Sequence, residues 1–401
     1  MITTNTLFKT LGINNKNLLS VVNATGISKE TLKYYNDSKK IPIGRDLEKI
    51  CDFFQISPNY LKLRLGFLDN SILDVLSSET ECLKKLFPYQ PFVLNKGCPT
   101  PSFQTKLGKL YKQDCISFLK TIEDNSFDVI FADPPFNLNK LYPSKMNDSL
   151  KEEEYIAWQE EWVYECIRVL KPGGSFFIWN LPRWNTYLTP LLNSHLTFKH
   201  WISVDVKYSL PIPGRLYPSH YSLLYYIKGA KANTFHPDRL PMEICPNCQT
   251  DLRDYGGYKD KMNPLGVNLS DVWYDIPPVR HSKYKKRKGA NELSLKLLDR
   301  IIEMSSNEGD IIFDPFGGSG TTYIVAELKN RSWVGTEIGP LEDIINRFSV
   351  LDEEKEYLQN IRAKLNCLFT EKDLKTRAKL GLWTPESVRK KKELANSLFD
   401  N

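Results

Sequence analysis

No stretch of this 401-residue chain is apolar for long enough to cross a bilayer, and residues 1–10 contain no signal-type apolar core. Neither a membrane span nor a secretory route is expected. The chain reads as soluble and cytoplasmic, with its thiols reduced. A disulfide framework is also missing, because the eight cysteines (Cys51, Cys82, Cys98, Cys115, Cys166, Cys245, Cys248 and Cys367) are scattered over the whole length. Only Cys245-Pro246-Asn247-Cys248 has the spacing of a zinc half-site, and no second cysteine pair follows it. His220 and His236 are the upstream candidates, but tetrahedral zinc needs four ligands. The expectation is no metal, with Cys245 and Cys248 as the residues to watch. Internal repeats and low-complexity tracts are absent. A strong charge of one sign is absent too: 54 Lys and Arg against 48 Asp and Glu leave a net charge of +6. That excess is compatible with a polyanionic partner without requiring one.

What is present is ordinary globular composition, 41% hydrophobic and 25% charged, which excludes wholesale disorder. The length suits two or three modules. Residues 1–66 read as short helices with tight turns. Gly26-Ile27-Ser28 forms one turn, with Ser28 placed to cap the helix that follows, and Ser57-Pro58 opens another helix. Residues 67–105 are poorly patterned and carry Pro88, Pro91, Pro99 and Pro101, so a linker is expected there. From residue 106 the pattern becomes strand–helix alternation. Strands are expected at 127–131, 174–179, 310–313 and 333–338, and helices at 153–170 and from Ser319. Such alternation predicts an α/β fold with a mostly parallel sheet covered by helices on both faces. Residues 351–401 look like a helical, basic tail.

Two segments carry chemistry. Phe131-Ala132-Asp133-Pro134-Pro135-Phe136-Asn137 ends a buried strand. Phe313-Asp314-Pro315-Phe316-Gly317-Gly318-Ser319-Gly320-Thr321-Thr322 again reads strand, loop, helix. In the second, small residues let backbone approach a ligand closely, and a helix N-terminus beyond them favours an anionic group. Glu337 ends the next strand, where a carboxylate can accept two ribose hydroxyls. The third glycine of the dinucleotide fingerprint is missing, which counts against a nicotinamide or flavin site. In the first segment, the Asp133 carboxylate offers only acceptor sites, and neither proline can donate a backbone hydrogen.

Together the two segments resemble the DNA amino-methyltransferases. Asp-Pro-Pro-Phe precedes the glycine loop by roughly 180 residues, which is the permuted order of that family's β class. The resemblance covers about residues 106–350. It implies a Rossmann-like methyltransferase sheet with a target-base half (106–229), a candidate target-recognition segment (230–270) and a donor-binding half (280–350). The cofactor it implies is S-adenosylmethionine, held by Phe313, Asp314, Phe316, Gly317, Gly318, Ser319, Gly320 and Glu337. Asn291, Glu292 and Leu293 would add a further wall. Asp133 and the Pro134 carbonyl would hold the two hydrogens of an exocyclic amino group, Pro135 would stiffen the loop, and Phe136 would stack on a base swung out of the duplex. In this family Asp before Pro-Pro usually accompanies adenine N6. Cytosine N4 remains the alternative, followed by an RNA substrate or an inactive DNA-binding regulator.

The N-terminal helices resemble the helix-turn-helix domain of the phage Cro/CI repressor type. That likeness would send residues 28–36 into the major groove, with Lys29 and Lys33 on DNA. A small helical packing module is the alternative. Lys283, Lys285, Lys286, Arg287 and Lys288 form a basic run that suits phosphate contacts or a solvated loop. Duplex DNA is therefore the expected partner. A cognate restriction endonuclease on a separate chain and a second copy of this chain are further candidates, and no membrane is expected.

Overall fold

The computed structural model describes residues 5–87, 99–138, 148–205, 213–214, 216–240, 242–243, 245, 247–248, 251–263, 266–277, 292–363, 375–376 and 378–381. Chain contacts divide it into a helical unit, residues 1–93 with 151–157, and a larger unit holding the rest.

The helical unit contains α1 (Leu7–Leu11), α2 (Leu18–Thr25), α3 (Lys29–Asp37), α4 (Gly44–Phe54), α5 (Pro58–Arg64), α6 (Asn70–Ser78) and α7 (Thr80–Leu83). Gly26, in the left-handed region at φ +64°, ends α2. The Ser28 hydroxyl accepts from the Thr31 N–H and starts α3, as the turn chemistry predicts. Leu18, Val21, Ile27, Leu32, Ile50 and Leu61 close one small core, with Leu32 and Leu61 fully buried. The expected boundary at residue 66 needs correction. Asp69 caps α6 through the Ile72 N–H at 3.2 Å, and Ile72 is buried. Helix therefore continues where prolines further along led to a linker being expected.

The larger unit is a three-layer α/β/α body. Its strands are β1 (Phe103–Gln104), β2 (Gly108–Tyr111), β3 (Phe127–Ala132), β4 (Leu170–Asn180), β5 (Thr197–Asp205), β6 (His220–Ile227), β7 (Arg239–Leu240), β8 (Val267–Asn268), β9 (Val272–Trp273), β10 (Ile311–Asp314) and β11 (Ser332–Thr336). Its helices are α8 (Cys115–Leu119), α9 (Glu152–Val169), α10 (Pro182–His195), α11 (Leu295–Ser305), α12 (Thr321–Leu328), α13 (Glu342–Phe348) and α14 (Leu351–Ala363). Among the described residues the main sheet runs β1-β2-β11-β10-β3-β4-β6-β5-β9, and β7 pairs with β8 apart from it. The run from β2 through β11, β10 and β3 to β4 is parallel.

Alternation along the strands sorts side chains to the two faces. Val129, Phe131, Phe177 and Ile312 pack with residues of α11 and α12. Ile130, Ala132, Phe176, Ile178 and Phe313 pack with α8, α9 and α10. Phe127 and Phe313 stack at 4.6 Å and tie β3 to β10. The last helix, α14, is no detached tail. Leu358 and Glu354 are buried, and Arg362 pairs with Asp299 and Asp238. The packed body therefore extends beyond residue 350, because α14 covers apolar surface that α11 and α12 would otherwise expose.

Candidate active site

The chain leaves β3 through α9 to β4 on one side, and leaves β10 through α12 to β11 on the other. The neighbouring strands β3 and β10 thus form the point where the winding reverses. In open parallel sheets, ligands bind beyond the carboxyl ends of strands at such a point. Both motif loops stand there. Asp133 lines one cleft together with Leu293, Asp314, Phe316, Gly317, Gly318, Ser319, Thr321 and Thr322. The fold thereby joins two segments far apart in sequence.

The glycine loop is shaped mainly from within. Asp314 is buried, and its Oδ1 accepts from the Phe316 N–H at 2.9 Å while its Oδ2 accepts from the Thr322 hydroxyl at 2.5 Å. Burial raises its pKa to about 7 against those two hydrogen bonds, and the nearby Glu337 charge pushes the same way. Gly317 is required by space, since a Cβ there would stand 2.8 Å from the Tyr323 hydroxyl. Gly320 takes φ +76° as the N-cap of α12, so the helix begins at Thr321 rather than Ser319. A Cβ at Gly320 would meet Ile344 at 2.8 Å.

Glu337 follows the end of β11 and accepts from the Gly318 N–H at 2.7 Å and the Gly339 N–H at 2.6 Å. The amides of the loop itself are thereby turned toward the protein. Buried amides need partners, and those of residues 316, 317 and 318 find them in Asp314, Thr336 and Glu337. The first-turn N–H groups of α12 have no intrahelical acceptor by helix geometry, and they form the positive pole of the cleft.

Other expected residues fall in several places. The Phe313 side chain is fully buried, stacked on Phe127 and Phe118, and is not among those lining the cleft. It holds the strand rather than the ligand, because the residue before the strand-end Asp314 faces the opposite layer. Phe316 lines the cleft and also packs edge-on against Trp162 at 5.2 Å. The Phe136 ring is 5% exposed and leans on Tyr221 at 5.7 Å, so it is not an open stacking platform. Leu293 lines the cleft, whereas Glu292 lies 3.9 Å from Arg347. Asn291, Lys283, Lys285, Lys286, Arg287 and Lys288 fall outside the described residues. Lys29 and Lys33 are exposed on α3. Cys245 is half-buried and Cys248 exposed, and no group of three or more His, Cys, Asp or Glu side chains is placed to hold a metal among the described residues.

Sequence reasoning missed Arg347. It is 3% exposed on α13, and its guanidinium donates to the Ser319 carbonyl at 2.9 Å and the Thr321 hydroxyl at 3.0 Å, with Glu354 at 3.0 Å behind it. An arginine in an amphipathic helical stretch reads as a surface residue, and nothing in its neighbours marks it otherwise.

Taken together, an acceptor-only carboxylate facing a glycine loop and helix N-terminus at the switch point defines a group-transfer site of the Rossmann-like class. The comparisons with known proteins specify the group. The N6/N4 methyltransferase family, described as DNA methylase, matches residues 127–346. The Type II methyltransferase M.BamHI of Bacillus amyloliquefaciens is 46% identical over 388 residues, 96% of this chain and 92% of that protein. The DNA adenine methyltransferase YhdJ of Escherichia coli (strain K12) is 32% identical over 304 residues, 74% of this chain and all of that protein (100%). A solved structure named PvuII DNA methyltransferase (cytosine-N4-specific) is 18% identical with a TM-score of 0.46, over 66% of this chain and 94% of that one. The chain belongs to the N6/N4 DNA methylase family, and its cofactor is S-adenosylmethionine.

Proposed function

We propose that the protein methylates the N6 amino group of adenine within a specific site in duplex DNA, as the modification partner of a restriction endonuclease carried on another chain. The observation that supports this most directly is the single cleft shared by Asp133 and the glycine loop. The cleft lined by Asp133, Leu293, Asp314, Phe316 and the small residues 317–319 fits a cofactor backed closely by the loop. When bound, S-adenosylmethionine supplies an electrophilic methyl group carried on a sulfonium. The first turn of α12 would meet its carboxylate and Glu337 would hold its ribose hydroxyls.

Asp133 accepts one amino hydrogen and the Pro134 carbonyl accepts the other. An exocyclic amino nitrogen is a weak nucleophile because its lone pair is delocalised into the ring. Two acceptors on its hydrogens favour the tetrahedral form, whose lone pair points at the methyl group. The ionised Asp133 would also stabilise the positive charge that grows on nitrogen as the nitrogen–carbon bond forms and the carbon–sulfur bond breaks, sulfur keeping the electron pair and one amino proton then leaving to solvent. Phe136 stacks on the base only once Tyr221 has shifted off its ring. Lys29 and Lys33 on α3, with the basic run 283–288, supply phosphate contacts.

The name of YhdJ speaks for adenine. Cytosine N4 is the second reading, because the same two acceptors fit its amino group equally well. Duplex DNA incubated with the enzyme and S-adenosylmethionine, then digested to nucleosides and separated by mass, decides between them. N6-methyladenine is the expected product. N4-methylcytosine would refute the choice of base and leave the two-acceptor mechanism standing, whereas a carbon-methylated base would refute both.

A further inference from the structure

The Asp133 loop has an anchoring problem. Pro134 and Pro135 carry no N–H, so the chain cannot be tied down through its own amides where the chemistry takes place. The first donors after the prolines belong to Phe136, Asn137 and Leu138. Asp148 takes two of them: its Oδ1 accepts from the Asn137 N–H at 2.7 Å and its Oδ2 from the Leu138 N–H at 2.9 Å. The Asp148 side chain is 4% exposed. Asn137 adds a reciprocal pair, its Nδ2 donating to the Leu150 carbonyl at 2.9 Å and its Oδ1 accepting from the Leu150 N–H at 2.8 Å. The Asn137 backbone stands at φ +53°, a conformation that persists only where the surroundings over-determine it. On the other side, the buried Trp184 indole donates to the Phe136 carbonyl at 2.7 Å.

We propose that Asp148 is a positioning residue for methyl transfer: by accepting two successive amides of the Asp133 loop, it sets where the Asp133 carboxylate and the Pro134 carbonyl stand. The proposal rests on the reading of those two groups as the amino-group acceptors. A carboxylate suits the task because it offers acceptor sites only and its charge-assisted bonds are short and strong. With one oxygen on each amide, both the position and the direction of the chain are fixed. Asp148 touches none of the glycine-loop residues through these bonds, so its influence falls on turnover rather than on donor binding. A displacement of about 1 Å at reacting atoms costs on the order of 100-fold in rate.

The test compares full-length Asp148→Ala, Asp148→Asn and Asp133→Ala in steady-state transfer to bulk duplex DNA, with donor affinity measured by calorimetry. Asp148→Ala should lower kcat by roughly 100-fold while the donor Kd and the KM for DNA stay within about three-fold. Asp148→Asn should recover part of the loss, since its amide oxygen still accepts one N–H while its NH2 opposes the other. Asp148→Ala turnover within about two-fold of wild type, with Asp133→Ala inactive, would overturn this proposal and leave the Asp133 reading intact. An active Asp133→Ala would overturn that reading and this proposal with it. Donor affinity falling in step with kcat, equally in both Asp148 variants, would show a general structural role and also overturn the proposal.

Discussion

Asp314 is a buried carboxylate and Asp275 a half-buried one, and their surroundings drive their protons in opposite directions. Burial dominates at Asp314 and raises its pKa from 3.8 to about 7. Burial acts the same way on Asp275, but Arg300, bidentate at 2.9 and 2.7 Å, and Lys296 at 2.7 Å outweigh it and hold the group at about 2. A raised carboxylate pKa means that the fold keeps a proton the unfolded chain has released. The Asp314 contribution to stability is therefore full below about pH 4, shrinks as pH rises and is gone above about pH 7. The Asp275 contribution is present above about pH 4 and is lost as pH falls toward 2. Thermal melts from about pH 5 to about pH 8 should show Asp314→Asn gaining on wild type as pH rises. A constant difference across that range would contradict the assignment. Arg300→Met removes the buried partner that Asp275 and Asp238 share and leaves them to Lys296 and Arg362, so it should cost about 3 kcal/mol in denaturant unfolding, and a loss near zero would count against the pairing.

At the scale of elements, α13 acts on chemistry it never touches. Arg347 donates through one Nη to the Ser319 carbonyl and the Thr321 hydroxyl and through Nε to Glu354, so it sets where the glycine loop meets the first turn of α12. Arg347→Lys keeps the charge and loses the planar guanidinium that bridges Glu354 to the loop. Donor Kd measured by calorimetry should rise roughly tenfold, about 1.4 kcal/mol, with kcat at saturating donor nearly unchanged. An unchanged Kd would make Arg347 a packing residue only. The α3 helix makes a separate prediction. If Lys29 and Lys33 each neutralise a phosphate, the full-length double Lys→Ala variant should flatten the log–log salt dependence of DNA binding by about 1.8. An unchanged slope would assign the helical unit another task.

Across the whole molecule, legibility in the sequence followed periodicity and local chemistry. The strands carrying Asp133 and Asp314 could be read because continuous apolar runs end in proline and glycine, which force loops. The turn between α2 and α3 was legible through Gly26 and Ser28. Asp148 and Arg347 were not. Each acts through backbone groups that only the folded chain brings near, and neither has a neighbour of diagnostic type. Phe313 and Phe316 differ in role for a reason that strand parity alone conveys, and a motif read as one block conceals it. The helices after residue 66 were missed because proline content was given more weight than the Asp69 cap.

The account stands most directly on Asp133. Single-turnover transfer of labelled methyl to duplex DNA by full-length Asp133→Ala, paired with calorimetric donor binding, isolates its contribution, because that contribution belongs to the transition state and not to the donor complex. The account predicts no detectable transfer with the donor Kd within about three-fold of wild type, since Glu337 and the glycine loop remain intact. Transfer at a near-normal rate would contradict it, and the amino group would then have to be held by some other acceptor.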